Sequence, residues 1–171
     1  MKVKIKKLNQ NAVTPTYATD GSAGIDICVT SHDVDENGCD VYGTGIAVEI
    51  PKGYVGLVFP RSSIAKKRTR LTNCVGVIDS DYRGEIMAKF KPDVITMNPF
   101  KVWLSWFSPI KRFFKKCESD VVYVHDDSNS YMIGEKTIQL IIVRIPRIEW
   151  EEVDELSQTG RGDGGFGHTG E

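Results

Sequence analysis

Hydrophobic and polar residues alternate in short runs over much of the chain. Such runs occupy residues 3–8, 25–29, 45–50 and 54–59, and the segments between them are rich in Gly, Pro, Asn and Asp. An alternation with a period of two places every second side chain on the same face of a β-strand. Several short strands separated by turn residues are typical of a β-sandwich or barrel, so the pattern predicts an all-β fold.

Two segments depart from this alternation, and a third predicts a turn. Residues 138–143 read Ile-Gln-Leu-Ile-Ile-Val, an almost continuously apolar run that predicts a strand covered on both faces. Residues 62–67 are the strongest helix candidate in the first half of the chain, with Ser62 or Ser63 as the predicted N-cap. In residues 73–85, two β-prone runs flank an Asp-Ser-Asp turn, which predicts a hairpin.

Residues 91–130 differ in composition from the rest of the chain. They contain seven of the sixteen Phe, Tyr and Trp residues and six basic residues. Apolar residues recur at the spacing of one helix face on both sides of Pro109, in the groups Phe100, Trp103, Leu104, Phe107 and Ile110, Phe113, Phe114. The pattern predicts an amphipathic insertion. A small satellite core is the preferred interpretation of its aromatic side chains, ahead of a docking surface for a protein partner and of a membrane contact.

Residues 159–171 form a glycine-rich end that follows a single domain, residues 1–158. These thirteen residues hold six glycines and one large apolar side chain, Phe166, so they are predicted to be flexible instead of part of a core. Closely spaced glycines allow backbone N–H groups to approach a phosphate, and Arg161 adds a guanidinium that can bind an oxyanion with two parallel hydrogen bonds. No Gly-Lys-Ser/Thr follows, so the segment is not a Walker A loop.

The overall charge and the cysteines exclude several classes of protein. With 22 Lys and Arg against 23 Asp and Glu, the formal net charge is -1, which provides no general field for binding a nucleic acid. The four cysteines form no C-x-x-C pair, so neither a zinc ribbon nor a disulfide framework is predicted. No apolar segment follows the basic first ten residues or is long enough to cross a bilayer. We therefore expect an intracellular, soluble protein of the cytoplasm or nucleus, with no membrane contact.

Three short segments contain residues suited to chemistry. Arg61, Ser62 and Ser63 stand where a strand is predicted to end and a helix to begin, and a guanidinium beside hydroxyls and free N–H groups can bind an anion. Asp26 lies in an apolar strand, where a carboxylate is buried only with a partner cation or a metal-bound water. Asp79 lies in the predicted turn, where an Asp by default satisfies its own backbone.

Five segments, in order along the chain, resemble the five ordered motifs of the trimeric dUTPases, the dUTP nucleotidohydrolases. They are Ser22-Ala-Gly-Ile-Asp26, Pro60-Arg-Ser-Ser63, Gly76-Val-Ile-Asp-Ser-Asp-Tyr-Arg-Gly84, Gly134-Glu-Lys-Thr-Ile-Gln139 and Arg161-Gly-Asp-Gly-Gly-Phe-Gly-His-Thr-Gly170. The resemblance covers roughly residues 1–90 and 131–171, and the third and fifth motifs are the most specific. It implies a homotrimer of jelly-roll-like β subunits with shared active sites, in which residues 91–130 are an insertion.

The resemblance implies hydrolysis of dUTP to dUMP and pyrophosphate, which limits uracil incorporation into DNA and supplies dUMP for dTMP synthesis. Asp79 is implied as the general base that deprotonates a water attacking the α-phosphorus. Mg²⁺ is implied as the cofactor, held by Asp26 through the water shell of the ion. Positioning and charge neutralisation are then expected to dominate the chemistry.

The resemblance also implies which residues contact dUTP. The implied phosphate contacts are Arg61, Ser62, Ser63 and Gln139. The implied deoxyuridine contacts are Asn73, Gly76, Val77, Ile78 and Tyr82, with the Tyr82 ring packed on the deoxyribose. The glycine-rich end is implied to close as a lid over the substrate with Arg161, Phe166, Gly167, His168 and Thr169, of which Phe166 stacks on uracil.

Motif four departs from the usual pattern of the family, and two other functions stay open. Lys136 stands where the family usually has Arg, and Ile138 stands where a small residue usually precedes Gln139. In motif five, His168 replaces the commoner Ser. One alternative is an enzyme resembling dCTP deaminase, which shares the fold but has no need of the Asp-Ser-Asp-Tyr segment. The other is a nucleotide-binding regulatory protein that acts through residues 91–130.

Overall fold

The computed structural model describes residues 1–93, 113–116, 122–125 and 130–165 of the 171-residue chain. Within these ranges the chain forms thirteen β-strands and a single 3-10 helix, Ser62–Lys66. The strands are β1 (Lys4–Lys7), β2 (Thr16–Tyr17), β3 (Ile25–Cys28), β4 (Ser31–Val34), β5 (Asp40–Gly43), β6 (Ile46–Glu49), β7 (Tyr54–Pro60), β8 (Thr69–Leu71), β9 (Gly76–Ile78), β10 (Met87–Pro92), β11 (Phe113–Lys116), β12 (Val122–His125) and β13 (Lys136–Arg144).

Most of these strands belong to two antiparallel sheets. The five-stranded sheet has the order β2-β3-β13-β7-β9, and the four-stranded sheet has the order β4-β5-β10-β8. In addition, β1 pairs with β6, and β11 pairs with β12. The all-β fold that the alternation predicts is therefore confirmed.

Apolar side chains from both sheets form one core. Its most deeply buried members include Ile27, Val58, Ile138 and Leu140 from the five-stranded sheet and Tyr42, Ala88 and Phe90 from the four-stranded sheet. Each fully buried aliphatic or aromatic side chain of this kind stabilises the fold by about 1.5–3 kcal/mol relative to an exposed one. The core thereby fixes the strand ends on which the polar residues described below are carried.

The predicted strands agree with the structure in position. The runs at residues 3–8, 25–29, 45–50 and 54–59 correspond to β1, β3, β6 and β7 to within one residue at each end. The apolar run at residues 138–143 lies in β13, at the centre of its sheet.

The coverage predicted for β13 on both faces holds only in part. On one face, Ile138 and Leu140 are buried. On the other face, Ile141 is only partly buried and Val143 is exposed in the single chain. The last residue of the apolar run is therefore not covered by the core of its own chain.

The hairpin predicted for residues 73–85 is wrong. β9 pairs with β7, whereas the next strand, β10, pairs with β5 and β8 in the other sheet. The Asp-Ser-Asp segment is a turn, but it connects the two sheets instead of two paired strands. Local sequence predicts a turn without predicting the partners of the strands, because pairing depends on packing with distant parts of the chain.

The helix predicted at residues 62–67 is confirmed as the 3-10 helix, but neither Ser62 nor Ser63 is its N-cap. Arg61 occupies that position in an extended conformation, and no side-chain cap bond forms among the described residues. The guanidinium of Arg61 instead binds Asp26. The start of the helix is thus held by an ion pair and not by a serine hydroxyl.

Part of the inserted segment is a strand pair. Residues 113–116 form β11, so the helical spacing predicted to resume at Phe113 and Phe114 is wrong. Aromatic residues favour strands as well as helix faces, and a short apolar run does not distinguish the two. The helical pattern predicted at residues 100–107 lies outside the described residues.

The described ranges contain no helix that is long and apolar enough to span a membrane. Cys28, Cys39 and Cys74 are free thiols.

Candidate functional site

A buried carboxylate lies where three of the five motifs meet. Asp26 on β3 is only 6% exposed. Arg61 Nε donates to its Oδ1 at 2.8 Å, and Lys136 Nζ donates to its Oδ2 at 3.2 Å. The partner cation expected for a carboxylate in this apolar strand is therefore present twice. Because the cations come from different elements, Asp26 joins β3 to the end of β7 and to the start of β13.

The pairing of β13 with its two neighbours explains this convergence. Gln139 on β13 is paired with Asp26 on β3 and with Phe59 on β7. Its side-chain Nε2 donates to Pro60 O at 3.2 Å. Gly24 leaves room for the amide, because a Cβ on Gly24 would lie 2.5 Å from Gln139 Oε1. Motifs one, two and four therefore share one end of the five-stranded sheet.

The 3-10 helix begins at this same end of the sheet. The Arg61 N–H donates to Thr137 O at 3.3 Å, so the helix starts beside β13. Ser62 is exposed, whereas Ser63 Oγ is buried and has no hydrogen-bond partner within the described ranges. Two cations and an accessible hydroxyl suit an anionic ligand. We refer to Asp26, Arg61, Ser62, Lys136 and Gln139 as the polar end of the sheet.

Asp79 lies in a separate turn that follows β9. Asp79 is exposed, and its carbonyl accepts a hydrogen bond from the Tyr82 N–H at 3.2 Å. Arg83 Nη1 donates to Ser80 O at 2.8 Å and to Tyr82 O at 2.9 Å. Tyr82 Oη donates to Glu85 O at 3.0 Å. We refer to residues 79–85 as the Asp79 turn, since their own side chains and carbonyls hold it in shape.

A cavity of about 280 Å³ lies beside the start of motif three. It is lined by Val41, Val58, Leu71, Thr72, Asn73, Gly76, Met87, Ala88 and Lys89. Two of these, Asn73 and Gly76, are predicted deoxyuridine contacts. Of the other three, Val77 and Tyr82 are exposed and Ile78 is partly buried. The cavity lining therefore includes two of the five predicted deoxyuridine contacts and not the other three.

Asp79 and Arg61 lie at opposite ends of the same strand pair. β9 runs antiparallel to β7, with Gly76 opposite Val58. Continuing this register for three residues places Asp79 opposite Val55, which is six residues before Arg61. At 3.3 Å per residue, Asp79 and Arg61 are about 20 Å apart along the strand direction. A single chain therefore does not bring the predicted base and the predicted phosphate-binding arginine to one site.

The glycine-rich end makes local contacts where it is described. Arg161 is exposed, and its Nε donates to Gly164 O at 2.9 Å. Phe166, Gly167, His168 and Thr169 lie outside the described residues, so the roles predicted for them stay predictions.

Known proteins resemble this chain over nearly its whole length. The sequence model of the dUTPase family matches residues 10–102. A deoxyuridine 5'-triphosphate nucleotidohydrolase of Hydrogenobaculum sp. (strain Y04AAS1) is 36% identical over 173 residues, which cover 99% of each chain. The chain belongs to the dUTPase family. The dUTP diphosphatase predicted from the five motifs is thereby confirmed.

Other dUTPases agree with this assignment in sequence and in structure. The nucleotidohydrolase of Corynebacterium glutamicum is 34% identical over 170 residues, covering 98% of this chain and 94% of that relative. The Staphylococcus bacteriophage 80alpha dUTPase, solved with dUPNHPP, has a TM-score of 0.72 and 28% identity, covering 97% of this chain and 96% of that one. The dUTPase of phage phi11 of S. aureus, in which a species-specific insert was visualised, has a TM-score of 0.67 and 27% identity, covering 93% of this chain and 100% of that one. The jelly-roll-like fold is therefore confirmed as well.

Lys136 is a residue of the site that the sequence prediction missed. It departs from the usual Arg of motif four and has no predicted role, yet its ammonium is bound to Asp26. The sequence contains one signal for a role of Lys136 in the site, namely a basic charge inside motif four, two residues before the buried Ile138. Only the pairing of β13 with β3 indicates which carboxylate this charge meets.

Proposed function

We propose that this dUTPase hydrolyses dUTP to dUMP and pyrophosphate at active sites shared between the subunits of a homotrimer. The observation that carries the proposal is the antiparallel register of β9 and β7, which implies that Asp79 and Arg61 of one chain are about 20 Å apart along the strand direction. A general base and a phosphate-binding arginine must both lie within hydrogen-bond reach of the substrate. A site built from the polar end of one chain and the Asp79 turn of another meets this requirement.

The polar end binds and orients the triphosphate. Arg61 uses Nε for Asp26 and Nη1 for Lys136 O at 3.5 Å, which leaves the N–H groups of Nη2 to bind phosphate oxygens. The exposed Ser62 hydroxyl donates to a β-phosphate oxygen beside the α–β bridge, where charge develops as pyrophosphate leaves. Gln139 completes the phosphate contacts together with the backbone N–H of Ser63, since Ser63 Oγ is buried.

Asp26 fits a magnesium ion held through water. Among the described residues, no three His, Cys, Asp or Glu side chains form a group that could hold a metal ion directly. A carboxylate has about four acceptor sites, and Asp26 uses one on each oxygen for a cation, which leaves acceptors for metal-bound water. A hydrated ion shared between one carboxylate and substrate phosphates is the usual form of a magnesium site. When bound, the ion neutralises charge on the triphosphate.

The Asp79 turn supplies the base. A water oxygen bonds to the α-phosphorus while the bond from that phosphorus to the α–β bridging oxygen breaks, and pyrophosphate leaves with the electron pair. The proton of the water passes to the Asp79 carboxylate. Asp79 is exposed on a turn with local hydrogen bonds, which suits a base that meets a substrate bound by another chain.

The cavity beside Asn73 and Gly76 takes the deoxyuridine. Backbone groups of residues 76–78 pair with the polar edge of uracil, and Tyr82 packs on the deoxyribose and excludes a 2′-hydroxyl. Mismatched polar groups allow discrimination of about 10⁴–10⁵ against cytosine, whereas exclusion of the thymine methyl group contributes only about 1–3 kcal/mol.

The segment between β13 and the glycine-rich end supports assembly into a trimer. In the single chain, Ile148 is 64% exposed, Trp150 is 92% exposed and Leu156 is 86% exposed. Large apolar side chains exposed to this extent in one short segment favour contact with another chain. Residues 159–171 follow directly, so a segment lying across a neighbouring subunit carries the lid residues Arg161, Phe166, Gly167, His168 and Thr169 toward that subunit's substrate.

The reaction is tested with a panel of nucleotides. The protein is incubated with Mg²⁺ and, in separate assays, with dUTP, dCTP, dTTP or UTP, while pyrophosphate and ammonia are measured. We expect pyrophosphate from dUTP alone and a large loss of turnover when EDTA removes the metal. Ammonia from dCTP would identify the deaminase alternative, and no turnover of any nucleotide would favour a nucleotide-binding regulatory protein.

The shared site is tested by mixing two variants, Asp79→Asn and Arg61→Ala, after denaturing and refolding them together. Each variant alone lacks one half of every site and is expected to be inactive. In randomly mixed trimers, about one quarter of the sites combine an intact Asp79 with an intact Arg61, so about one quarter of the wild-type activity should return.

A matched control for this mixture is Asp79→Asn refolded with the double variant Asp79→Asn/Arg61→Ala, in which no site has the base. If mixing the two single variants restored no more activity than this control, the site would lie within one chain and the shared-site proposal would be wrong.

In a cell, this reaction limits uracil incorporation into DNA and supplies dUMP for dTMP synthesis. Docking of a protein partner on residues 91–130 stays a prediction, because most of that segment lies outside the described residues.

A further inference from the structure

The 3-10 helix that carries Ser62 is too short to determine its own position. It has five residues, none of them fully buried, and no side-chain cap bond forms at its start within the described structure. Of its apolar side chains, only the partly buried Ile64 packs against the core of the described residues. Hydrogen bonds in a 3-10 helix also have poorer geometry than those of an α-helix. A single apolar side chain does not fix the orientation of the helix, so the flanking residues must contribute.

Arg61 holds the start of the helix, and Lys67 holds its end. Lys67 Nζ donates to Ser130 O at 2.9 Å and pairs with Glu135 Oε2 at 3.3 Å. The Lys67 N–H also donates to Ile64 O at 2.8 Å, which closes the last turn of the helix. Lys67 thus connects the end of the helix to the stretch that leads into β13.

Lys67 differs from the basic residues on either side of it. Its side chain is only 17% exposed, whereas Lys66 and Arg68 are exposed. Its ammonium lies 4.3 Å from the centre of the Tyr131 ring, within the range of a cation–π interaction. Tyr131 is itself buried against Tyr42 in the core, with 5.7 Å between the ring centres. Tyr131 thus connects the Lys67 ammonium to the aromatic part of the core.

We propose that Lys67 is a positioning residue that holds Ser62 in its place beside the other residues of the polar end. The inference rests on the phosphate contact proposed above for Ser62. Arg61 ties the start of the helix to Asp26 and Thr137, and Lys67 ties its end to Ser130 and Glu135. With only the first attachment the helix can pivot, and an orientation error of this kind lowers catalysis without removing any catalytic group.

The test compares Lys67→Met with Lys66→Met, the same change at an exposed position one residue earlier. With Mg²⁺ present, the measurements are kcat/KM for dUTP and Kd for the imido analogue dUpNHpp and for dUMP. Lys67→Met is expected to lower kcat/KM and to weaken dUpNHpp binding about tenfold, because both depend on the oriented phosphate contacts. Binding of dUMP, which lacks the outer phosphates, should change by less than about twofold, as should every value for Lys66→Met.

Rescue by Lys67→Arg distinguishes positioning from general loosening of the fold. This variant keeps the charge and the donors for Ser130 and Glu135, so it should recover most of the lost dUpNHpp affinity. The proposal is overturned if Lys67→Met matches Lys66→Met, if Lys67→Met weakens dUMP as much as dUpNHpp, or if Lys67→Arg recovers nothing.

Backbone hydrogen exchange separates this proposal from the proposed function. Amides in residues 62–67 should exchange faster in Lys67→Met than in Lys66→Met, whether or not the protein turns over dUTP. Unchanged exchange would overturn the positioning role even in an active dUTPase. A wild-type protein that does not hydrolyse dUTP would overturn the proposed function and leave the exchange result standing.

Discussion

Asp26 is buried and bound to cations from two other elements, whereas Asp79 is exposed on a turn whose hydrogen bonds are local. The polar end therefore exists only when β3, β7 and β13 are paired. The Asp79 turn needs only the few residues that follow β9. The two carboxylates, though proposed for one reaction, are therefore coupled to the stability of the fold to very different degrees.

The largest effect is expected from Asp79→Asn. Loss of a general base lowers kcat by about 10²–10⁴-fold. Because Asp79 is exposed, the free energy of unfolding should change by no more than about 0.5 kcal/mol. Steady-state assays and urea denaturation of the same preparations measure both quantities. Unchanged kcat would remove Asp79 from the role of base.

Asp26→Asn should lose activity and stability together. The neutral amide leaves Arg61 and Lys136 without their carboxylate, but their side chains are 33% and 43% exposed, so water compensates in part. We expect unfolding to become easier by about 1–3 kcal/mol, the range for a hydrogen-bonded charged group. Urea denaturation measures this value. A variant as stable as the wild type would show that the buried ion pairs do not hold the polar end together.

Gly24→Ala should disturb the polar end without changing any charge. The new Cβ would lie 2.5 Å from Gln139 Oε1, so the Gln139 amide must move away from Pro60. We expect kcat/KM for dUTP to fall about tenfold, in line with the misplacement of a phosphate contact. Gly21→Ala is the matched control, because a Cβ on Gly21 meets no atom within 4 Å. Equal kinetics of the two variants would argue against a role for Gln139.

Gly84→Ala should disturb the Asp79 turn, again through a steric clash of the new Cβ. Its effect on the proposed phosphate contacts should be smaller. A Cβ on Gly84 would overlap the Tyr82 ring, which must rotate outward. Since Tyr82 is proposed to exclude the 2′-hydroxyl, the ratio of kcat/KM for dUTP over UTP should fall by about tenfold. This ratio is measured for the wild type and for the variant. If the ratio is unchanged while kcat/KM for dUTP falls, Tyr82 maintains the shape of the turn and does not exclude the 2′-hydroxyl.

The smallest effect is expected from Tyr131→Phe. Burial raises the pKa of Tyr131 to about 12, so its hydroxyl is neutral at neutral pH, and that hydroxyl has no hydrogen-bond partner in the described ranges. Removing it leaves the ring beside Lys67 and eliminates a buried unpaired polar atom. Unfolding should become harder by zero to about 1 kcal/mol, with unchanged kcat. A clear loss of stability would mean that the hydroxyl is satisfied in solution.

The sequence by itself determined the positions of several strands and the family, and it predicts the reacting groups. Alternation placed β1, β3, β6 and β7 to within one residue, because the two-residue period of a strand is a local property. The five motifs indicated a dUTPase because each needs particular side chains in a short stretch of chain. Asp26 was also correctly expected to need a cation.

Tertiary structure alone decided which of these groups meet. Whether Asp26 meets Lys136, and whether Asp79 lies near Arg61 or about 20 Å from it, depends on the register of β13 and β9 against their partners. The same long-range pairing replaced the predicted hairpin by a connection between two sheets, and it replaced a serine N-cap by Arg61 bound to Asp26. Register is chosen by the packing of residues far apart in the chain, so no local pattern contains it.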